Sequence, residues 1–201
     1  MSVNIELLYI AIYSYILGSI PFGLVLTKIF LKKDIRKIGS GNIGATNALR
    51  TGKKFLAIAT LILDGMKGYV SIIITSYFFS NYTGGTPIIY LSALTCLLGH
   101  IYPVWLKFKG GKGVAVYLGI LFSASIYLGL IFTISWIIVL YFTKYSSLSS
   151  LVSALVIFLY SIMFYNFNVS IFFFIAFIII IHTHRENISR IKNKTENKTN
   201  F

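Results

Sequence analysis

Residues 108–115 read Phe-Lys-Gly-Gly-Lys-Gly-Val-Ala, between two apolar runs. Glycines at 110, 111 and 113 allow φ > 0 and a close approach of backbone to a ligand. Successive N–H groups in such a turn form a concavity for an anion, and Lys109 and Lys112 add positive charge. Val114-Ala115-Val116 opens a new apolar segment. If it is helical, its N-terminus aims further donors at the same point. A second small-residue stretch, 39–50, carries the donors Ser40, Asn42, Thr46, Asn47 and Arg50. An arginine fork can clamp a phosphate through two hydrogen bonds. The chemistry suggested is the binding of phosphorylated molecules. The plain alternatives are a tight turn for the first stretch and a linker for the second.

Other motifs fail on context. Residues 39–44 formally match G-x-G-x-x-G, but Lys-Lys-Asp-Ile-Arg-Lys-Ile precedes them where a dinucleotide fold needs a buried strand. Gly113 stands where a Walker motif needs Ser or Thr. No metal-ligand spacing and no G-x-S-x-G element is present. The isolated ionisable groups are Asp64, Lys67, His100, His182 and His184. Asp64 and Lys67 lie one helical turn apart, which suits either a structural ion pair or a substrate contact. His100 suits a packing role. His184, Asn187 and Arg190 share a face at i, i+3 spacing if a helix continues through them, with an interfacial cap as the plain alternative.

The elements that position these residues are membrane helices. Of the 201 residues, 57% are hydrophobic and 11% charged, where a soluble domain carries about 25% charged. The mean hydropathy is +0.82. Apolar runs recur at lengths that cross a hydrocarbon core as helix, and the alternation of a membrane β-barrel is absent. The net charge of +13 reflects topology and not nucleic acid. Lys and Arg gather at 28–54, at 107–112 and at 185–198, whereas the segments near Asn81 and Asn166 have none. The positive-inside rule puts the three basic groups in the cytoplasm and the N-terminus outside. Ser40, Lys109 and Ser189 are then inside and Asn81 outside.

We expect one domain over 1–201, an all-α bundle of seven transmembrane helices, some short, with a cytoplasmic C-terminus. The expected crossings are 5–31, retained rather than cleaved and interrupted by Gly18-Ser19-Ile20-Pro21, then 55–79, 88–106, 113–124, 127–143, 150–164 and 167–183. Outer turns fall at 81–87 and 165–168. Five crossings, with 113–143 and 150–183 each passing once, is the alternative. The tail beyond Asn187 is expected to be partly helical or disordered.

Several blocks together are familiar. They are Ser-Gly-Asn-x-Gly-Ala-Thr-Asn-x-x-Arg at 40–50, Gly-His-x-x-Pro at 99–103, the 108–115 stretch, and His-x-x-Asn-Ile at 184–188 with Glu196 beyond. Gly-Ser-Ile-Pro near 20, Asp64 with Lys67-Gly68, and Tyr145-Ser-Ser-Leu extend the likeness over the whole chain. The sequence resembles the bacterial acyl-phosphate:glycerol-3-phosphate acyltransferases, the PlsY family. The departure lies in the tail, which reads Arg190-Ile191 and Lys194-Thr195-Glu196 where the family commonly has Arg-Leu and then Gly-x-Glu.

The resemblance implies transfer of an acyl group from acyl phosphate to the 1-hydroxyl of glycerol 3-phosphate, the first step of phospholipid synthesis. The products are lysophosphatidic acid and inorganic phosphate. It implies no cofactor, no metal and no nucleic-acid partner. It also implies a monomer in the bacterial inner membrane with its active site facing the cytoplasm. Matched by position, Ser40, Arg50, Lys107 or Lys109, Lys112, His184 and Asn187 contact glycerol 3-phosphate and phosphate. Gly110, Gly111, Gly113, Val114 and Ala115 hold the acyl phosphate. Asn42, Thr46, Asn47, Asp64, Lys67 and His100 form the surrounding shell. No His-x-x-x-x-Asp motif of soluble-type acyltransferases is present. A different class, an organic-phosphate transporter, would show paired repeats and broken helices in matching halves.

Overall fold

Pro21 breaks the first apolar run. Proline has no N–H, and its ring clashes with the preceding turn. Helix α1, Val3–Ser19, therefore ends, and α2, Phe22–Leu31, starts beyond it. The computed structural model describes residues 3–79 and 86–199. The expected outer turn at 81–87, with the outward placement of Asn81, lies largely outside them. Hydrocarbon offers no water to the carbonyls freed at a break, so protein groups must satisfy them. Here Lys67 Nζ donates to the Ile20 carbonyl at 2.7 Å. Trp105 Nε1 donates to the Ser19 carbonyl at 2.8 Å.

The remaining helices are α3 Ala45–Leu49, α4 Lys54–Phe78, α5 Thr86–Ile101, α6 Val114–Ala124, α7 Ile126–Thr143, α8 Ser146–Phe164, α9 Phe167–Thr183 and α10 Arg185–Lys192. No strand occurs among the described residues. Chain contacts gather into two units, 1–124 and 125–201.

In the first unit, α4 shows how a membrane inverts the usual amphipathic pattern. Its buried stripe is Thr60, Asp64, Lys67, Ser71 and Thr75, and its exposed stripe is Phe55, Ile58, Ile62, Met66 and Ile73. Apolar groups gain nothing by leaving lipid, so small residues and interhelical hydrogen bonds drive association. Ser14 Oγ lies 2.9 Å from Ser92 Oγ, which lies 2.7 Å from Ser71 Oγ. Tyr13 donates to the Ser71 carbonyl at 3.0 Å. A Cβ on Gly18 or Gly99 would strike the Cys96 or Tyr15 carbonyl, so glycine sets the contact of α1 with α5. A Cβ on Gly68 or Gly119 would likewise strike the Val116 or Gly65 carbonyl between α4 and α6.

In the second unit α8 packs against both α7 and α9. Trp136 Nε1 donates to Ser150 Oγ at 3.1 Å, and Ser170 Oγ to the Ser161 carbonyl at 3.0 Å. Ser125 and Asn166 accept N–H groups at the starts of α7 and α9, as such caps do.

Five helical segments are long and apolar enough to cross a membrane, or six when α9 and α10, bent by 60° at their junction, count as one. Helix α6 has 11 residues, about 16 Å at 1.5 Å per residue, roughly half the hydrocarbon thickness. The chain breaks at Ser125 and at Tyr165-Asn166. Neither 113–143 nor 150–183 is one continuous helix, as the five-crossing alternative requires. The tail also departs from expectation. Thr199 N–H donates to the Lys144 carbonyl at 2.8 Å, and Thr195 N–H to the Arg190 carbonyl at 2.8 Å.

Candidate functional site

The first basic loop is built around one amide. Asn47 is 2% exposed, and its Nδ2 donates to the carbonyls of Ile35 (3.1 Å), Ile38 (2.9 Å) and Asn42 (2.7 Å). Its Oδ1 accepts the Ser40 N–H at 3.0 Å. The amide is saturated by the loop, so Asn47 shapes the site and does not meet a substrate. Asn42 does similar work on a smaller scale, accepting the Gly44 N–H at 3.0 Å. Ser40, Thr46 and Arg50 remain exposed. Gly39 sits at φ 55°, and a Cβ there would lie 2.7 Å from Arg50 Cδ. Glycine therefore lets the Arg50 side chain lie across the turn.

Beneath the loop, Leu24, Ile35, Ile43 and Ala48 form a buried apolar base. At its rim Asp34 accepts the Arg36 N–H and pairs with its guanidinium at 2.6 Å. Hydrogen bonding from Arg36 holds the Asp34 carboxyl at about 2.

The second basic loop is clipped to the end of α5 through its backbone. Gly111 N–H donates to the His100 carbonyl at 3.0 Å, and Gly110 N–H to the Ile101 carbonyl at 2.9 Å. The Phe108 and Lys109 N–H groups go to Pro103 and Leu106 carbonyls. This corrects the expectation that Gly110 and Gly111 donate to an anion. They are also not the left-handed residues: φ is positive at Lys107, Phe108 and Gly113. Gly110 and Gly111 are needed because a Cβ would strike the His100 carbonyl or the His100 ring. The donors suited to an anion lie further on. Tyr117 N–H to the Gly113 carbonyl is the first bond of α6, which leaves Val114, Ala115 and Val116 at the helix start without intrahelical acceptors. Lys112 is half-buried here, and Lys107 and Lys109 are exposed.

The two loops meet. Leu106 packs on the apolar base of the first loop, and Trp105 is tied to Ser19. Both basic stretches thus occupy the same end of the first unit.

Under the second loop lies a buried ionic group. Asp64 and Lys67 pair at 2.9 Å with side chains 2% and 1% exposed. A desolvated pair persists when its remaining hydrogen-bonding capacity is used, and Lys67 spends a donor on Ile20. Of the two readings of this pair, the structural ion pair is the one realised. His100 Nδ1 lies 3.9 Å from Asp64 Oδ1, beyond hydrogen-bond range.

The second unit holds its own polar cluster. The chain turns at His184, whose Nδ1 lies 2.8 Å from the Ile180 carbonyl, so the proton resides on Nδ1. The helix therefore does not run straight from His184 to Arg190 as the spacing suggested. Asn187 and Arg190 instead converge on Glu196. Asn187 Nδ2 donates to Oε1 at 2.6 Å, Ser147 Oγ to Oε1 at 2.7 Å and Arg190 Nε to Oε2 at 2.7 Å. Burial pushes the Glu196 carboxyl up, but these bonds outweigh it and hold it below the ordinary glutamate range. Sequence reading gave Ser147 and Glu196 no role. Their separation of 49 residues leaves no local signal.

The family model described as glycerol-3-phosphate acyltransferase matches residues 8–194. A glycerol-3-phosphate acyltransferase of Pelagibacter ubique is 57% identical over 194 residues, covering 96% of this chain and 98% of the relative. One from Ehrlichia canis is 49% identical over 189 residues, covering 94% and 96%. Among solved structures, the glycerol 3-phosphate form of PlsY, an integral membrane glycerol 3-phosphate acyltransferase, superposes with a TM-score of 0.89 at 34% identity, covering 96% of each chain. Its lysophosphatidic acid form gives 0.86 at 34% identity, covering 96% of this chain and 95% of the other. With matched blocks in order along nearly its whole length, this chain belongs to the glycerol-3-phosphate acyltransferase family.

Proposed function

We propose that the protein moves the acyl group of an acyl phosphate to the 1-hydroxyl of glycerol 3-phosphate. The hydroxyl oxygen attacks the acyl carbon, the bond from that carbon to the phosphate oxygen breaks, and the hydroxyl proton passes to the departing phosphate. The products are lysophosphatidic acid and inorganic phosphate. The observation that carries this reading is the meeting of two basic small-residue loops on one apolar base through Leu106. Two phosphorylated substrates need two anion-binding surfaces within reach of each other.

In this reading Arg50 and Ser40, exposed on the first loop, hold glycerol 3-phosphate. Gly113, Val114 and Ala115 at the start of α6, with Lys112, hold the acyl phosphate. Lys107 and Lys109 draw both anions in. His184 and Asn187 contact phosphate or hydroxyl oxygens. Asn42, Thr46 and Asn47 shape the first loop, and Asp64, Lys67 and His100 support the second. No side chain need act as an indispensable base. Phosphate is a good leaving group, and its own oxygen can take the proton, so positioning and charge stabilisation supply the catalysis.

The distribution of Lys and Arg supports seven crossings, with α6 a short one, the N-terminus outside and both loops facing the cytoplasm of a bacterial inner membrane. We take the working unit to be a monomer of one acyltransferase domain. The test is incubation of purified protein with palmitoyl phosphate and radiolabelled glycerol 3-phosphate, without added metal. Equimolar lysophosphatidic acid and phosphate are expected. Their absence, or equal product from palmitoyl-CoA, would overturn the donor assignment.

A further inference from the structure

We infer that His100 is a positioning residue whose imidazole sets the seat of the second loop and makes Gly111 obligatory. This deepens the proposal that the loop leads the acyl phosphate onto α6, and it rests on that reading.

The ring is 4% exposed and wedged between two neighbours. On one side Nδ1 faces Asp64, which is fixed by Lys67, itself fixed by the Ile20 carbonyl at the Pro21 break. On the other side a Cβ placed on Gly111 would fall on Nε2, with Cε1 at 2.8 Å and Cδ2 at 3.0 Å. The peptide N–H of that same Gly111 is bonded to the His100 carbonyl. Backbone and ring of one residue therefore fix the height of the loop from two directions. The ring cannot retreat, because the buried Asp64–Lys67 pair occupies the space behind it. Two residues later Gly113 caps α6, so a displaced Gly111 moves the N–H groups offered to the acyl phosphate.

Gly110 supplies the control. A Cβ there would strike the His100 carbonyl, with Pro103 Cδ at 2.5 Å and the Ile101 carbonyl at 2.8 Å. None of these is the ring. Removing the imidazole makes room at 111 and not at 110.

The experiment compares His100→Ala, Gly111→Ala and Gly110→Ala with the doubles His100→Ala/Gly111→Ala and His100→Ala/Gly110→Ala. KM for palmitoyl phosphate and for glycerol 3-phosphate is measured alongside thermal stability in detergent. Gly111→Ala should raise KM for palmitoyl phosphate about tenfold and leave that for glycerol 3-phosphate within about twofold, as misplacement of a binding loop requires. His100→Ala/Gly111→Ala should recover at least half of that loss in logarithmic terms. His100→Ala/Gly110→Ala should recover none. Additive losses in both doubles, or equal rescue of both glycines, would overturn the inference. If Gly111→Ala does not accumulate, its accumulation in the His100→Ala background decides the matter: recovery supports the wedge, and continued absence refutes it. Wild-type protein inactive with palmitoyl phosphate would refute the donor assignment instead, so the two failures are distinct.

Discussion

The two basic loops of the first unit solve one problem by different means. The loop at 32–53 is folded by a side chain, since Asn47 alone connects Ile35, Ile38, Asn42 and Ser40. The loop at 107–113 is folded by its own peptide groups, clipped in order onto the carbonyls at the end of α5. The difference lies in what each can tolerate. A side-chain organiser leaves the surrounding positions free to present exposed donors such as Ser40 and Arg50. A backbone clip needs bare Cα atoms at the points of contact, which is why glycine crowds the second loop.

The sharpest break of this contrast is Asn47→Ala. It orphans several backbone groups, and each buried unsatisfied partner costs about 1–3 kcal/mol. We expect a stability loss of about 3 kcal/mol, read from thermal unfolding in detergent, and activity down about a hundredfold with both substrates, because the whole loop loses its shape.

Next is Gly113→Ala. A Cβ at φ 85° is strained and lies 2.5 Å from Leu97 Cδ1. The left-handed conformation alone costs roughly 1–2 kcal/mol. KM for acyl phosphate should rise about tenfold with that for glycerol 3-phosphate nearly unchanged, checked by varying each substrate in turn.

Arg50→Lys should act on the other substrate. A compact ammonium replaces a planar fork, so KM for glycerol 3-phosphate should rise about three- to tenfold at unchanged stability. The smallest effects separate crowding from conformation within the first loop. Gly52 sits at φ 79° with nothing within 4 Å of an added Cβ, so Gly52→Ala should cost about 1 kcal/mol in unfolding measurements and leave kinetics alone. Gly44 has an ordinary φ of −83°, and Gly44→Ala should be neutral to within about 0.5 kcal/mol. A large loss at either would show that these glycines do more than shape a turn.

Much of this arrangement was legible in the sequence, and the boundary is physical. Helical runs and the break at Pro21 follow from hydropathy and from the missing N–H of proline, both local properties. The loops were visible because basic and small residues concentrate there. What those residues do with their donors was not visible. Asn47 and Arg50 look equally available in the sequence, yet one is consumed by three carbonyls and the other is exposed. Gly110 and Gly111 suggested left-handed turns, but close packing against His100 is what requires them. The tail was read as partly helical or disordered because nothing within a few residues of Glu196 announces Ser147 as its partner. Lys67 likewise gave no sign that its second partner is a carbonyl 47 residues away.

The central claim is that the two loops hold different substrates. The most direct measurement is the equilibrium binding of each substrate alone to catalytically silent mixtures, using radiolabelled glycerol 3-phosphate and, separately, palmitoyl phosphate, with wild type, Arg50→Lys and Gly113→Ala. The account predicts that Arg50→Lys weakens only glycerol 3-phosphate binding and Gly113→Ala only palmitoyl phosphate binding. Equal weakening of both ligands by both variants would contradict it.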